Sequence, residues 1–126
     1  MNKFNNVFKM SESIRILTTT KKFGYKDNFN LSHDQEQHAG VKENLQYLCK
    51  NYLPAYPYFV KQVHGNKISN VDTKNYSYVA DGIITREKNK VIAIKTADCI
   101  PIIIYSTCNN VICILHAGRK GIEYNI

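Results

Sequence analysis

The spacing of apolar residues predicts a short strand and one helix in the first part of the chain. Apolar residues within positions 13–20 indicate the strand. Ser32 and Gln35 form a capping box that predicts the start of a helix. This helix is expected to end near residues 49–52, and its apolar face comprises residues at helical spacing, namely Val41, Leu45, Leu48 and Tyr52. Two prolines that follow return the chain to extended geometry.

Beyond these prolines the pattern changes to short apolar runs that are typical of strands. Several runs are apolar at consecutive positions, which predicts burial on both faces of the sheet. A turn containing Asn109 and Asn110 separates the last two runs. The predicted strands are residues 58–63, 67–71, 80–85, 91–95, 100–105 and 111–115.

Length and composition are those of one globular domain. The chain has 126 residues, of which 44% are hydrophobic and 21% are charged, so neither a disordered nor a membrane protein is indicated. Because we find neither a long apolar run nor a secretion signal, we expect a cytoplasmic protein with no membrane partner. In that compartment its four cysteines are expected to be reduced thiols: Cys49, Cys99, Cys108 and Cys113.

The net charge of +7 raises the question of nucleic-acid binding. The lysines are scattered along the chain and do not form a basic stripe interleaved with aromatic residues. A positive net charge alone indicates solubility and non-specific attraction to anions. We therefore expect no specific nucleic-acid partner.

Three residues with catalytic or metal-binding chemistry stand where apolar runs end. His64, Cys99 and His116 each lie at a change from apolar to small or polar residues. One thiolate and two imidazoles supply the three protein ligands of a catalytic zinc site. Each residue alone also has a structural interpretation, as a buried cysteine or a loop histidine. A metal-free cysteine hydrolase, with Cys99 as nucleophile and either histidine as base, is a further alternative.

Four ordered motifs surround these residues. In order and spacing they resemble the laccase-domain family, also known as multicopper polyphenol oxidases and better described as purine nucleoside phosphorylases with adenosine deaminase activity. The resemblance spans roughly residues 16–121. The motifs are Gln62-Val63-His64-Gly65, Ala80-Asp81-Gly82-Ile83-Ile84-Thr85, Lys95-Thr96-Ala97-Asp98-Cys99-Ile100-Pro101 and His116-Ala117-Gly118-x-x-Gly121.

The resemblance implies a fold, a cofactor and an activity. The fold is an α+β, four-layer α/β/β/α sandwich with mixed sheets, formed here by a single domain over residues 1–126. The cofactor is zinc, rather than copper, held by His64, Cys99 and His116. The activity is phosphorolysis of adenosine, inosine or related nucleosides to base and ribose 1-phosphate, together with adenosine deamination. The partners are accordingly a purine nucleoside and phosphate.

Further site residues follow from the same motifs. At positions where the family has arginines, this chain has Lys21 and Lys120, and Arg119 replaces a tryptophan. Lysine keeps the positive charge but not the planar donor pair of arginine, and these three residues are the candidates for phosphate binding. Asp98 is a candidate for orienting a ligand histidine or a water. Asp81 is a candidate for contacting the substrate, although either aspartate can instead shape a turn.

Members of the family continue well beyond the last motif, so the fold is expected to be incomplete at the C-terminus. Missing layers leave apolar strands exposed, which predicts low solubility or association of chains, so we expect either a monomer or weak self-association. An inactive remnant of the family is therefore a third hypothesis beside the nucleoside enzyme and the cysteine hydrolase.

Overall fold

Two sheets and two helices make up the described part of the chain. The computed structural model describes residues 7–9, 14–20, 29–31 and 39–126. The chain divides into two compact units, Met1–Leu48 and Cys49–Ile126. In chain order the elements are β1 (Val7–Lys9), β2 (Arg15–Leu17), α1 (Ala39–Tyr52), β3 (Ile68–Asn70), β4 (Gly82–Thr85), β5 (Ile100–Ser106), β6 (Val111–Ala117) and α2 (Arg119–Glu123).

The first unit contains a small sheet and most of α1. β1 and β2 pair antiparallel, and β2 occupies the centre of the strand predicted at residues 13–20. The predicted end of α1 is confirmed at Tyr52, whereas its predicted capping box lies outside the described residues. The apolar face of α1 is buried at Val41, Leu45 and Leu48. Its 14 residues are short of a bilayer crossing, and neither described helix has the length and hydropathy for one.

A mixed four-stranded sheet forms the centre of the second unit. Its strand order is β3-β4-β6-β5, with β3 and β4 parallel and the other two pairs antiparallel. β5 and β6 form a hairpin whose turn includes Asn110 at a φ of 49°, a left-handed conformation that asparagine tolerates. The predicted hairpin and the predicted α+β class with a mixed sheet are confirmed.

The hydrophobic core of the second unit includes Ile83 of β4 and residues from segments that are not strands of the sheet. Its fully buried residues are Val60, Val71, Ala80 and Ile83. The strands predicted at residues 58–63 and 91–95 are wrong as ladder strands, because these segments form only isolated bridges such as the one between Tyr58 and Ile92. Their apolar pattern reflects packing into this core rather than continuous pairing.

β5 differs most from the sequence prediction. Burial on both faces is wrong for this strand, since Ile100 is 57% exposed and Ile104 is 54% exposed. The physical reason is position: β5 is the edge strand, and within the described residues only β6 pairs with it. β6 lies inside the sheet and buries Cys113, Leu115 and Ala117. The sequence also predicts that some apolar strands are exposed, and β5 is such a strand.

Candidate metal centre

The structure brings His64, Cys99 and His116 together in the second unit. Their ligand atoms all lie within 4.8 Å of one another. The two imidazole rings meet edge to face, with centroids 4.8 Å apart and an interplanar angle of 73°. Solvent exposure differs among the three residues: His116 is buried, Cys99 is half-buried and His64 is exposed. The cluster therefore has one side in the protein and one side open to solvent.

The β5–β6 hairpin places two of the three residues. His116 is the penultimate residue of β6, and Cys99 directly precedes β5. The strands are antiparallel and pair Ile100 with Ala117, so the start of β5 lies beside the end of β6. A separation of 17 positions in the chain is thus closed by one hairpin.

Gln62 connects the segment carrying His64 to the segment that leads to Cys99. Its side-chain Nε2 donates to the carbonyl of Lys95 at 2.8 Å, and the N–H of Lys95 donates to its Oε1 at 2.8 Å. An amide side chain has both an NH2 donor group and an acceptor oxygen, so Gln62 pairs with the backbone of Lys95 as a neighbouring strand residue would. This pair connects the two chain segments two residues before His64 and four before Cys99.

His64 itself lies on a sharply curved loop. Its φ is 60°, in the left-handed region that residues other than glycine rarely adopt. The loop is held by the carboxylate of Asp81, which accepts the N–H groups of Val63 at 3.2 Å, His64 at 2.8 Å and Gly65 at 2.8 Å. Three successive backbone donors therefore converge on one buried acceptor.

The same carboxylate binds His116. Oδ1 of Asp81 lies 2.9 Å from Nδ1 of His116, and the N–H of His116 donates to the backbone carbonyl of Asp81 at 2.7 Å. Burial alone would raise the pKa of Asp81, but the hydrogen bonds from His116 and from the loop N–H groups outweigh it and hold the pKa below its usual range. An ionised carboxylate only accepts hydrogen bonds, which favours the His116 tautomer with its proton on Nδ1 and leaves Nε2 as the candidate ligand atom.

Two glycines of the last motif leave room for this arrangement. A Cβ on Gly118 would lie 3.0 Å from Cδ2 of His64 and 3.2 Å from Sγ of Cys99. A Cβ on Gly121 would lie 2.8 Å from the carbonyl of Gly65, so this glycine lets α2 approach the His64 loop. Any side chain at Gly118 would enter the space between the candidate ligands.

The residues present fit a zinc ion. A thiolate and two imidazoles are the donors that zinc prefers, and ideal tetrahedral ligation separates such donor atoms by about 3.3–3.6 Å. The observed upper limit of 4.8 Å is wider than this range, so binding of an ion would require the three side chains to draw together. The open side at His64 leaves space for a fourth ligand, as in catalytic rather than structural zinc sites.

The remaining predicted site residues lie differently. Asp98 is exposed and makes no hydrogen bond or ion pair within the described part of the chain, so the expected contact with a ligand histidine is instead made by Asp81. Asp81 is fully buried and does not reach the surface where a substrate would bind. Arg119 is exposed and lies 4.0 Å from Glu123, and Lys120 is also exposed. Lys21 lies outside the described residues.

Sequence analysis missed the roles of Gln62 and Gly118. Both belong to the quoted motifs, so the signal was present, but their functions depend on contacts with distant segments. Gln62 was considered only as a neighbour of His64, and its partner lies 33 positions away. Gly118 lies two residues after His116, and only the folded hairpin shows that it also faces Cys99 and His64.

Comparison with known proteins agrees with the motifs. A purine nucleoside phosphorylase of Haemophilus influenzae is 29% identical over 97% of this chain and 52% of its own length. A purine nucleoside phosphorylase of Rickettsia conorii is 33% identical over 78% of this chain and 46% of its own length. The chain thus spans about half the length of these two relatives.

A solved structure gives the same result for the fold. The crystal structure of the Bacillus licheniformis hypothetical protein YfiH superposes with a TM-score of 0.64 at 27% identity, over 76% of this chain and 41% of that chain. This likeness is consistent with the predicted fold. Residues 15–126 match the family described as multi-copper polyphenol oxidoreductase laccase. The resemblance drawn from the four motifs is therefore confirmed, and the chain belongs to the multi-copper polyphenol oxidoreductase laccase family.

Proposed function

We propose that this protein is a zinc-dependent purine nucleoside enzyme that carries out phosphorolysis of nucleosides such as adenosine or inosine and deaminates adenosine. The observation that supports it most directly is the gathering of His64, Cys99 and His116 within 4.8 Å. The purine nucleosides are suggested by relatives that are named purine nucleoside phosphorylases. Because the chain spans about half of those relatives, the activity of this polypeptide is part of the proposal.

The candidate metal centre has a buried side and a solvent-exposed side, and its residues have different roles on each. Asp81 and His116 lie on the buried side, where water is excluded and the imidazole keeps one orientation. His64 lies on the open side, where a substrate can approach. When bound, zinc supplies a Lewis acid that lowers the pKa of a coordinated water to about 7. Such an activated water would suit attack on C6 of the purine ring, the carbon that carries the amino group of adenosine.

Phosphorolysis requires in addition a cationic site for phosphate. Arg119 and Lys120 follow the ligand segment directly and are both exposed, so we assign them to phosphate, together with Lys21. Neither Lys21 nor Lys120 offers the paired donors of an arginine, so phosphate is expected to bind more weakly than where arginines stand at these two positions, although Arg119 keeps one planar guanidinium. Deamination, which needs no phosphate, is therefore the activity less affected by these replacements.

The cysteine hydrolase remains a second candidate because of one specific observation. Asp81, His116 and Cys99 form a series in which a carboxylate holds an imidazole close to a thiol, as in the catalytic centres of cysteine hydrolases. The two functions differ in their need for metal. A chelator abolishes the nucleoside activity and leaves a cysteine hydrolase intact, while an inactive remnant shows no turnover in either state.

The proposal includes a cytoplasmic location. All four cysteines are free thiols in the structure. Metal binding requires Cys99 to remain reduced and to ionise, and the reducing cytoplasm maintains that state.

An assay of the zinc-loaded chain with adenosine and inosine, each with and without phosphate, tests the proposal. Release of base with ribose 1-phosphate reports phosphorolysis, and release of ammonia from adenosine reports deamination. Cys99→Ala is expected to abolish both, and Cys108→Ala is the matched control because Cys108 is an exposed free cysteine away from the cluster. Absence of turnover in the zinc-loaded chain, or equal turnover in both variants, would contradict the proposal.

A further inference from the structure

We propose that Asp81 is the positioning residue of the metal centre, because one carboxylate holds both the loop of His64 and the ring of His116 in ligand geometry. This inference rests on the proposed function, since it concerns the same site. It replaces the expected contact of Asp81 with substrate. Asp81 has no exposed surface, so it acts through the two histidines.

Both carboxylate oxygens of Asp81 hold the backbone around His64. Oδ2 of Asp81 accepts from Val63 and Gly65, and Oδ1 accepts from His64. Holding three successive N–H groups toward one point requires a tight curve, and His64 provides it at a φ of 60°. A non-glycine residue persists in this region only when its surroundings hold it there. The carboxylate is the group that satisfies all three donors.

The same carboxylate sets the tautomer of His116. Oδ1 of Asp81 lies 2.9 Å from Nδ1, and a carboxylate can only accept. The proton of the neutral ring is thereby placed on Nδ1, and the lone pair is kept on Nε2. A histidine ligand needs an unprotonated nitrogen, and a carboxylate on the opposite nitrogen is the usual way to set it.

One oxygen of Asp81 connects the two histidines. The backbone N–H of His64 and Nδ1 of His116 both donate to the same oxygen, Oδ1. Asp81 also accepts the backbone N–H of His116, which extends the β4–β6 pairing by one residue. The separation of the two histidines is therefore set by the sheet through a single side chain.

A purely structural role is the competing explanation, and the chain offers a matched control for it. Asp72 is another carboxylate of the second unit, and it accepts the hydroxyl of Thr85, the N–H of Arg86 and the ammonium of Lys90. Within the described residues it contacts none of the three candidate ligands. Loss of its charge is expected to lower stability without acting on the metal centre.

The experiment compares Asp81→Asn with Asp72→Asn in the full chain. An asparagine offers one acceptor oxygen and a donor NH2 group, so it cannot satisfy four N–H donors. Zinc affinity, measured by competition with a chromogenic chelator, is expected to fall about 10–100-fold in Asp81→Asn and to change little in Asp72→Asn. Equal zinc affinity in wild type and Asp81→Asn, or an equal fall in both variants, would overturn the inference.

A second measurement needs neither metal nor a variant. Long-range proton–nitrogen NMR correlations of the metal-free wild type distinguish the two neutral tautomers of a histidine. We expect His116 to be protonated at Nδ1, and protonation at Nε2 would overturn the inference. This readout also separates the two proposals: if the wild type carries the proton on Nδ1 but binds no zinc, the proposed function fails while the positioning by Asp81 stands.

Discussion

Gln62 is joined to Lys95 by two hydrogen bonds of 2.8 Å, one given and one received by its side chain. The pair substitutes for strand pairing between two segments that form only isolated bridges elsewhere. His64 lies two residues after Gln62, and Cys99 lies four residues after Lys95. The two hydrogen bonds therefore limit how far these two candidate ligands can separate.

Replacement of Gln62 is therefore expected to affect both stability and metal binding. In Gln62→Ala two partly buried backbone groups of Lys95 lose these partners, which lowers the free energy of unfolding by about 1–3 kcal/mol. Zinc affinity is expected to fall as well, because the two ligand segments separate. Urea unfolding and chelator competition measure the two effects. Gln46→Ala, at an exposed position on α1, is the control, and equal behaviour of both variants would contradict the account.

Gly118 offers a test in which steric crowding acts on the ligands alone. Its backbone is extended, with φ −80° and ψ 165°, so alanine adopts this conformation without strain. The added Cβ meets His64 and Cys99 at 3.0–3.2 Å and forces them to shift. Gly118→Ala is expected to weaken zinc binding at least about tenfold with little loss of stability.

Gly65→Ala is the matched control for Gly118→Ala. A Cβ at Gly65 would lie 3.4 Å from Oδ2 of Asp81 and 3.7 Å from the side chain of Val63. Both distances are ordinary contacts that leave the carboxylate in place, although Gly65 lies on the same loop as His64. Zinc titration of the two variants should separate them clearly. Comparable zinc affinities would show that the space beside Gly118 has no role in the site.

The sequence predicted the candidate ligands but not the residue that positions them. His64, Cys99 and His116 could be singled out because each stands where an apolar run ends. Its position next to Cys99 in the sequence makes Asp98 a candidate orienting carboxylate, yet Asp98 lies exposed in a bend. Asp81 lies 35 positions from His116, and their contact depends on the register between β4 and β6. The pattern of apolar residues does not indicate which residues of β4 and β6 pair with each other.

The fold was predictable to a similar extent. The β5–β6 hairpin and the end of α1 follow from local signals, namely a turn with two asparagines and prolines after a helix. Residues 58–63 and 91–95 have the apolar composition of strands because Val60, Ile92 and Ile94 pack into the core. Burial and ladder pairing produce the same pattern in a sequence, and only the structure separates them.

The pH dependence of stability is expected to include Asp72. Burial alone would raise its pKa, but hydrogen bonds from Thr85, Arg86 and Lys90 outweigh it and hold the pKa of the folded chain below the usual value. A lowered carboxylate pKa stabilises the fold above the unfolded value of about 3.9 and loses this effect as pH falls toward the folded pKa. Asp72→Asn should therefore cost about 1–3 kcal/mol at pH 7 and progressively less below pH 4.

Urea unfolding of wild type and Asp72→Asn at neutral and acidic pH measures this difference. Asp98→Asn serves as the control, because its exposed side chain contributes no such bond among the described residues. A cost for Asp72→Asn that stays constant with pH would show that its charge does not stabilise the fold.

The exposed apolar residues of β5 predict weak self-association of the purified chain. An edge strand with exposed isoleucines favours contact between chains, and a charged residue opposes it. Ile104→Lys is expected to reduce concentration-dependent association in sedimentation velocity experiments. Ile122→Lys is matched to it, since both isoleucines are 54% exposed and only Ile104 lies on β5. Equal association in the two variants would rule out β5 as the cause.

The proposed function depends on one zinc ion held by His64, Cys99 and His116. Its most direct test is the zinc content of wild type, Cys99→Ala and Cys108→Ala, purified without chelator and measured by elemental analysis. We predict one zinc per chain in the wild type and in Cys108→Ala, and a loss of most of it in Cys99→Ala. Equal zinc content in all three proteins, or no zinc in the wild type, would contradict the account.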